Sequence, residues 1–248
     1  KPGINRNEVY SIDVQIPPLP EQQRIVAILD EAFAAIATAK ENAEKNLQNA
    51  RELFESYLQS VFANPGNVWE EKTLNQISEN LDSKRVPITK NVRSSGSYPY
   101  YGASGIVDYV DEYIFDDDLL LISEDGANLL ARTYPIAFSI SGKTWVNNHA
   151  HVLRFQNMAS QRFVEFYLNS IKLDDYVSGM AQPKLNQTML NTIVIPYPPL
   201  KEQRTIVAKL DALSAETKKL EAIYRQKLAD LDELKKSVLQ KAFNGGLA

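Results

Sequence analysis

Apolar positions recur with a helical period in two long segments of the chain. Apolar residues spaced alternately three and four positions apart run through residues 20–64 and again through 201–244. Each segment predicts a helix of about 60–65 Å, and helices of this length with one apolar stripe need a partner. We expect the two helices to share a seam formed by Ile25, Leu29, Ile36, Leu53, Ile206, Leu210, Leu213, Leu220, Leu231 and Leu234.

The two helical segments belong to an internal repeat. Residues 17–30 begin Pro-Pro-Leu-Pro-Glu-Gln and end Ile-Val-Ala-Ile-Leu-Asp, and residues 198–211 repeat this pattern 181 positions later. In both copies an alternating apolar and polar stretch, at 9–16 and 190–196, predicts a strand before the prolines. Because the first helix leads into the intervening segment and the second leads out of it, we expect them to pair antiparallel.

The intervening segment, residues 67–196, has the pattern of a strand-rich domain, because short apolar runs alternate with turn residues. The runs that predict strands are 98–101, 106–109, 119–122, 136–140 and 151–155. One amphipathic helix is predicted at 161–171. The predicted fold class is therefore α+β, with a strand-rich domain plus a long two-helix antiparallel coiled coil.

These patterns divide the chain into four parts. We assign 1–16 to the tail of a preceding domain, 17–66 to the first long helix, 67–196 to the middle domain and 197–248 to the second long helix. The chain opens on Lys1, inside what the repeat identifies as the end of an element. We therefore expect either a portion of a longer protein or a natural half of one.

Charge is distributed unevenly along the 248 residues. Residues 1–66 carry six basic and nine acidic side chains, whereas residues 197–248 carry ten and seven. Opposite net charges favour pairing of the two helical segments by a modest, screened attraction. The total of −4 argues against a general nucleic-acid coat protein. The absence of cysteine excludes disulfides and thiolate metal sites.

We expect a cytoplasmic protein. A chain without cysteine is compatible with a reducing compartment. The sequence shows no signal peptide, and none of its apolar runs approaches the ~20 residues of a membrane span.

Two motifs in the middle domain suggest chemistry without supporting it. Residues 141–144 read Ser-Gly-Lys-Thr, like the end of a phosphate-binding loop, but the first glycine of that motif is replaced by Ala137. His149 and His151 could share a strand face and ligate a metal, yet no third ligand is evident nearby. A packed or hydrogen-bonded histidine pair fits this spacing better.

An acidic cluster leaves one catalytic alternative open. Asp116, Asp117, Asp118 and Glu124 could hold the metal of a nuclease, although the strand between them lacks the lysine that such a site uses. We interpret these acids as turn and edge-strand residues. A second alternative is an interaction scaffold whose middle domain binds protein or carbohydrate.

Amide, basic and tyrosine side chains concentrate in the turns of the middle domain. Asn and Gln match the edge of adenine, and Lys and Arg match guanine or phosphate. This set favours DNA recognition. The predicted DNA-binding residues are Lys84, Arg85, Tyr98, Tyr101, Ser104, Lys143, Asn147, Asn148, Gln182 and Lys184.

The chain resembles the specificity subunits of type I restriction-modification systems. The doubled Pro-Pro-Leu-x-Glu-Gln, the stretch Tyr98–Ile106 and the stretch Gln182–Asn186 carry the resemblance. It implies a non-catalytic subunit in which two target-recognition domains each read half of a bipartite DNA site, separated by two antiparallel helices. This chain contains one such domain, which corresponds to a C-terminal portion or a half-subunit.

The resemblance also implies partners. These are double-stranded DNA, methyltransferase (modification) subunits bound through the long helices, and a restriction translocase subunit. S-adenosylmethionine is expected on the methyltransferase partner, and no cofactor is expected in this chain. A half-subunit could also form a homodimer through its helices.

Overall fold

The structure is a computed structural model that describes residues 3, 5–12, 16–179 and 181–246. Its contacts divide the chain into two compact units, one formed by residues 1–51 and 217–248 and the other by residues 52–216. The described helices are α1 (Arg6–Tyr10), α2 (Leu19–Ala63), α3 (Leu74–Ile77), α4 (Asn128–Ala131), α5 (Met158–Ser170), α6 (Gln187–Thr192) and α7 (Leu200–Phe243). Within this part of the chain, no helix is both long enough and apolar enough to cross a bilayer.

The strands all lie in the unit of residues 52–216. They are β1 (Glu70–Thr73), β2 (Ser78–Asn80), β3 (Ser95–Gly102), β4 (Gly105–Val110), β5 (Phe115–Asp116), β6 (Leu119–Ser123), β7 (Ala137–Ile140), β8 (Lys143–Val146), β9 (Ala150–Phe155) and β10 (Val194–Tyr197). One four-stranded sheet has the order β2-β9-β6-β7, a second has the order β4-β3-β8-β5, and β1 pairs with β10. The α+β fold class is therefore confirmed, as are the five predicted strand runs.

Strand β6 lies between two apolar cores. Leu120 and Ile122 face the larger core, which contains α5, whereas Leu119 and Leu121 face a smaller core with Val146 of β8. All four side chains are fully buried. A strand covered on both faces needs apolar residues at successive positions, which explains the unbroken run Leu119–Ile122.

The ends of the two long helices contribute to the larger core of the same unit. Leu58 of α2 and Val207 and Leu210 of α7 are buried there together with Phe163 of α5. The ring of Phe163 meets Phe62 edge-on, with centroids 5.4 Å apart. The helix predicted at 161–171 is confirmed as α5, which begins three residues earlier because Asn157 caps it by accepting a hydrogen bond from Ser160 N at 3.0 Å.

The strands predicted at 9–16 and 190–196 are partly wrong. Helix α1 occupies 6–10 and α6 occupies 187–192, and only Val194–Tyr197 is a strand. Residues 13–15 of the first copy lie outside the described residues. The equivalent residues Asn5 and Asn186 start both helices, since their side chains accept hydrogen bonds from Asn7 N and Met189 N at 2.9 Å. This capping overrides the alternating pattern.

Seven of the ten residues predicted for the seam between α2 and α7 are buried or half-buried, as that prediction requires. Leu29, Ile36, Leu210 and Leu231 are buried or half-buried, and so are Ile25, Ile206 and Leu213. The prediction is wrong for Leu53, Leu220 and Leu234, which are 59%, 38% and 49% exposed. In the middle of each helix the inward-facing position lies one residue later than predicted, at the half-buried Leu47 in α2 and the half-buried Leu228 in α7. A straight α-helix drifts by about 20° per heptad relative to a strict seven-residue repeat, so an extrapolated line leaves the contact face.

Candidate nucleic-acid interface

The turn between β8 and β9 presents two polar side chains to solvent. Asn147 is 7% exposed, its backbone N–H donates to Tyr101 O at 3.0 Å, and its side-chain oxygen accepts from His149 N at 2.8 Å. This Asx turn leaves Asn148 and His149 exposed. Asn147 was predicted to bind DNA, but its side-chain oxygen is used to shape the turn, so the structure argues against direct contact.

A second loop lies beside this turn. Gly126 N donates to Pro183 O at 3.0 Å, and Leu185 N donates to Glu124 O at 2.8 Å, which fastens residues 183–185 to the loop after β6. Gly126 has a φ of 111°, a conformation that L side chains rarely adopt. Gln182 and Lys184 consequently stand exposed on this loop.

The two loops enclose a cleft of about 350 Å³ that His149 and Lys184 both line. His149 Nδ1 lies 2.8 Å from a carboxylate oxygen of Asp125 in the same cleft, which orients the ring. A second cleft of about 380 Å³ on the other side of His149 is bordered by Asn148. We name this region the loop edge and define it as Ser104, Asn148, His149, Gln182 and Lys184.

Ser104 joins the loop edge through the turn after β3. Ser123 Oγ donates to Ala103 O at 2.6 Å and so fixes that turn to the end of β6. The hydroxyl of Ser104 itself donates to Tyr134 Oη at 3.0 Å and remains exposed. Four of the ten predicted DNA-binding residues therefore come together at one edge.

A buried charged network lies beneath the loop edge. Arg85 Nη1 donates to Glu124 Oε2 at 2.6 Å and to Ala150 O at 2.7 Å. His151 is 1% exposed, with Nδ1 at 2.5 Å from Asp82 Oδ2 and Nε2 at 2.7 Å from Leu185 O. We name Asp82, Arg85, Glu124 and His151 the buried network.

The geometry of the buried network fixes its protonation. The carbonyl of Leu185 can only accept, so Nε2 of His151 must donate. Burial alone would raise the pKa of Asp82, but the hydrogen bond and charge of His151, the amide of Val152 and the charge of Arg85 together lower it. The carboxylate of Asp82 is thus ionised, and it lies against Nδ1 of His151.

Glu124 completes the charge balance. Burial would raise its pKa, but the hydrogen bond from Arg85, the charge of His151 and the contact with Lys184 lower it. The ligand atoms of Asp82, Glu124 and His151 lie within 4.8 Å of one another, close enough for a shared metal ion. However, the carboxylate oxygens are already engaged by the guanidinium of Arg85, by the ring of His151 and by Lys184. The network is therefore a set of paired charges that holds two loops on the sheet.

Arg85 and Tyr101 were also predicted to bind DNA, and both have internal roles instead. The side chain of Arg85 is 12% exposed and belongs to the buried network. Tyr101 is half-buried against Phe138, with ring centroids 6.1 Å apart, and burial raises its pKa. Lys84, which ends a 3-10 helix next to Arg85, is exposed, and its contact with DNA stays a prediction.

Tyr98 and Lys143 form a separate cluster with Tyr113. The rings of Tyr98 and Tyr113 have centroids 5.1 Å apart, and Lys143 Nζ lies 4.7 Å from the centre of the Tyr113 ring. The phenolic groups of Tyr113 and then Tyr98 raise the pKa of Lys143, so it stays charged. We name these three residues the tyrosine-lysine cluster.

The tyrosine-lysine cluster lies at the far end of the strands from the loop edge. Strands β3 and β8 are parallel, with Tyr100 beside Trp145, so the starts of both strands lie together and their ends lie together. Tyr98 precedes Ser104 by six residues, a distance of about 20 Å in extended chain. The predicted set therefore falls into two groups rather than one.

The acids considered for a nuclease have separate partners. Asp117 pairs with Arg154 at 3.2 Å, whereas Glu124 pairs with Arg85. Asp118 accepts a hydrogen bond from Ser141.

Sequence reasoning did not include His149, Asp125 or Tyr113 among the DNA-binding residues. A signal for His149 was present, since it directly follows the turn-forming Asn147-Asn148 and precedes the strand that His151 enters.

Comparisons with known proteins bear on this interface. Residues 67–228 match the family model described as the type I restriction modification DNA specificity domain. A Haemophilus influenzae protein assigned to the type I restriction enzyme specificity subunits is 33% identical over 210 residues, which is 77% of this chain and 52% of that protein. The chain spans about half the length of the curated relatives that match most of its residues.

Two solved structures share the fold. One comes from work on complex assembly and conformational transition of the type I R-M system, with a TM-score of 0.79 and 21% identity over 98% of this chain and 64% of that chain. The other is the HsdS subunit from Thermoanaerobacter tengcongensis, with a TM-score of 0.63 and 22% identity over 98% of this chain and 63% of that chain.

Proposed function

Because the chain belongs to the family of type I restriction modification DNA specificity domains, we propose that it reads one half of a bipartite DNA site through the loop edge. Specificity subunits of type I systems recognise DNA and are not enzymes. We extend this role to the present chain.

The proposal rests on one observation, which is that the loops of the loop edge lie together on a rigid support. Loops that are far apart in sequence, at 104, 148–149 and 182–184, present polar side chains at the same end of the sheets. The buried network fixes two of these loops through Ala150 O and Leu185 O. Side chains held on a rigid frame lose less entropy on binding, which favours sequence reading.

The loop edge offers the groups that base edges require. Amides such as Asn148 and Gln182 can contact adenine at two points, and Lys184 can donate to guanine. His149 adds a ring nitrogen that can donate or accept a hydrogen bond. Asp125 adds a carboxylate that can accept a hydrogen bond from the amino group of cytosine. The tyrosine-lysine cluster and Lys84 offer stacking and positive charge to the phosphate backbone.

We propose further that partners supply the chemistry. Methyltransferase subunits would bind through the long helices, carry S-adenosylmethionine and rotate an adenine of the recognised site out of the duplex. A restriction translocase subunit would complete the nuclease, and the assembly would act in the cytoplasm. Two copies of the chain could also pair through their helices and read a symmetric bipartite site.

The methylation pattern of cellular DNA provides the test. The chain is co-expressed with its methyltransferase subunits, and modified positions are mapped by single-molecule sequencing. The double substitution Asn148→Ala and Gln182→Ala should relax or abolish the half-site that this chain reads, and both half-sites where two copies of the chain form the complex. Both are exposed amides, so the fold is expected to tolerate their loss.

Gln156→Ala is the matched control. Gln156 is also an exposed amide, but it follows the C-terminal end of β9, whereas His149 precedes its N-terminal end. Its substitution should leave both half-sites unchanged. An unchanged motif in the double variant would refute the loop edge as the reading surface. A purified complex that shows no sequence preference for DNA at all would refute the proposed function and favour the scaffold alternative.

A further inference from the structure

Two ion pairs join α2 and α7 within the unit of residues 1–51 and 217–248. Lys40 pairs with Asp232, and Arg51 Nη2 lies 3.2 Å from Glu221 Oε2. As the α2 residue advances from 40 to 51, its partner in α7 retreats from 232 to 221. The two segments therefore run antiparallel.

The internal repeat relates these two pairs to each other. The offset of 181 positions places Lys40 on Glu221 and Arg51 on Asp232. Both pairs thus form between the same two repeat positions, with the roles of the helices exchanged. The first copy is basic at both positions, and the second copy is acidic at both.

We propose that this inversion of charge specifies the pairing, by selecting α2 against α7 and rejecting α2 against α2 or α7 against α7 between copies of the chain. In an antiparallel α2 pair of the same register, Lys40 of each copy would face Arg51 of the other. In the corresponding α7 pair, Glu221 would face Asp232. Like charges at such flanking positions disfavour a pairing that the apolar seam would accept.

The same repeat positions face inward in both copies, although some of the side chains there differ in size. Leu47 and Leu228 are equivalent in the repeat, and both are half-buried. The buried Ala43 of α2 corresponds to the larger, half-buried Tyr224 of α7. The flanking charges act in addition to this difference in size. A second copy of the chain can then join only by exchange, with its α2 against the α7 of the first.

The charges also select the register. Sliding α7 by one heptad would place Arg225 opposite Lys40, a contact between like charges. In the observed register Glu221 accepts from both Arg51 and Arg225, the latter at 2.7 Å. The hydrogen bond from Lys40 lowers the pKa of Asp232, so that carboxylate is charged at neutral pH.

The absence of native cysteine makes a direct test possible. In an α2 pair of this register, positions 45 and 46 would lie at the two-fold axis, so Asn46→Cys in the full chain would form a disulfide there. Asn46 is exposed. The yield of disulfide-linked dimer under mild oxidation then reports pairing of α2 with α2, above a collisional background that every chain carrying Asn46→Cys shares.

Two exchange variants separate pair strength from pairing specificity. Arg51→Glu with Glu221→Arg, and independently Lys40→Asp with Asp232→Lys, keep opposite charges across α2 and α7. Each also places opposite charges across an α2 pair. Exposed pairs contribute modestly, so we expect dimer yield to rise by roughly threefold or more over the parent at low salt. The increase should shrink in high salt.

The quadruple variant is the decisive control. Exchanging both pairs makes α2 acidic and α7 basic, which restores the inversion with opposite sign, so its dimer yield should return to that of the parent. A merely structural disturbance would grow with four substitutions. Equal yields in the parent, exchanged and quadruple chains, including no dimer in any of them, would overturn the proposal. Circular dichroism of each chain confirms that it is folded.

Discussion

His151 and His149 are two residues apart and have opposite environments. His151 is 1% exposed and has a hydrogen-bond partner at each ring nitrogen, whereas the side chain of His149 is 52% exposed at the loop edge. The difference arises because His151 points into a space lined by Asp82, Glu124 and a backbone carbonyl. One histidine therefore supports the site, and the other is available to a ligand.

Replacing these histidines should separate the two roles. His151→Ala leaves Asp82 buried without its main counter-charge, and removing one partner of a buried pair costs about 3–5 kcal/mol. His149→Ala should change the free energy of unfolding by less than about 0.5 kcal/mol, since surface substitutions are mostly neutral. Urea denaturation of both variants measures this. Similar losses in the two variants would contradict the assignment.

Acid should weaken the buried network. The fold lowers the pKa values of Asp82 and Glu124 from their ordinary values of 3.8 and 4.5, so the stabilisation from these carboxylates is fully present above pH 4.5. It is lost as the pH falls through the lower folded values. In urea titrations across pH, Asp82→Asn should be less stable than the parent at pH 7, and the gap should narrow as acid protonates Asp82. A gap that stays constant down to about pH 2 would contradict this sign.

At the scale of elements, the sequence predicted most of what depends on a regular pattern. The run Leu119–Ile122 identified β6, and the period of the two long segments identified α2 and α7. Helices α1 and α6 were missed because one hydrogen bond accepted by the side chain of Asn5 or Asn186 outweighs a short alternating pattern.

The candidate site was less predictable, because it depends on contacts between residues that are distant in sequence. Arg85 is 39 positions from Glu124, so no local pattern distinguishes its guanidinium from one that is free to meet a phosphate. Asn147 was likewise indistinguishable from Asn148, although only the former shapes the turn. Residue type predicted the kind of surface, and tertiary contacts decided which members belong to it.

The displaced seam gives a prediction at this scale. Leu228 is half-buried, whereas Leu234 is 49% exposed. Leu228→Ala should lower the free energy of unfolding by roughly 1–2 kcal/mol, less than a fully buried leucine would. Leu234→Ala, at a position that the strict heptad places in the seam, should lower the free energy of unfolding by less than about 0.5 kcal/mol. Thermal melts of the two variants compare them, and a larger effect from Leu234 would restore the original seam.

At the scale of the whole molecule, the net charge of −4 limits how much the chain can attract DNA by itself. Few lysines face solvent near the candidate surface, and they lie at two ends of β3 and β8. We therefore expect a shallow salt dependence for binding, with each phosphate contact contributing about −0.9 to the slope of log K against log salt.

Single lysine substitutions should reveal which end faces the duplex. Lys184→Gln at the loop edge, if it meets a phosphate, should reduce the slope by about one unit. Lys143→Gln should do so only if the tyrosine-lysine cluster also reaches the backbone. The exposed Lys172, which follows α5, serves as the control and should leave the slope unchanged. Binding of the assembled complex to duplex DNA at several salt concentrations provides the measurement. An unchanged slope in both Lys184 and Lys143 variants would exclude them as phosphate contacts.

The buried network has a consequence for how such a protein can acquire a new target. Its anchors are the backbone at Ala150, Val152 and Leu185, whose hydrogen bonds do not depend on the side chains at those positions. The loops next to these anchors can therefore be replaced without loss of the hydrogen bonds that hold the anchors in place. Grafting loops 147–149 and 181–183 from a relative onto this frame should therefore transfer a half-site preference without redesign of the core.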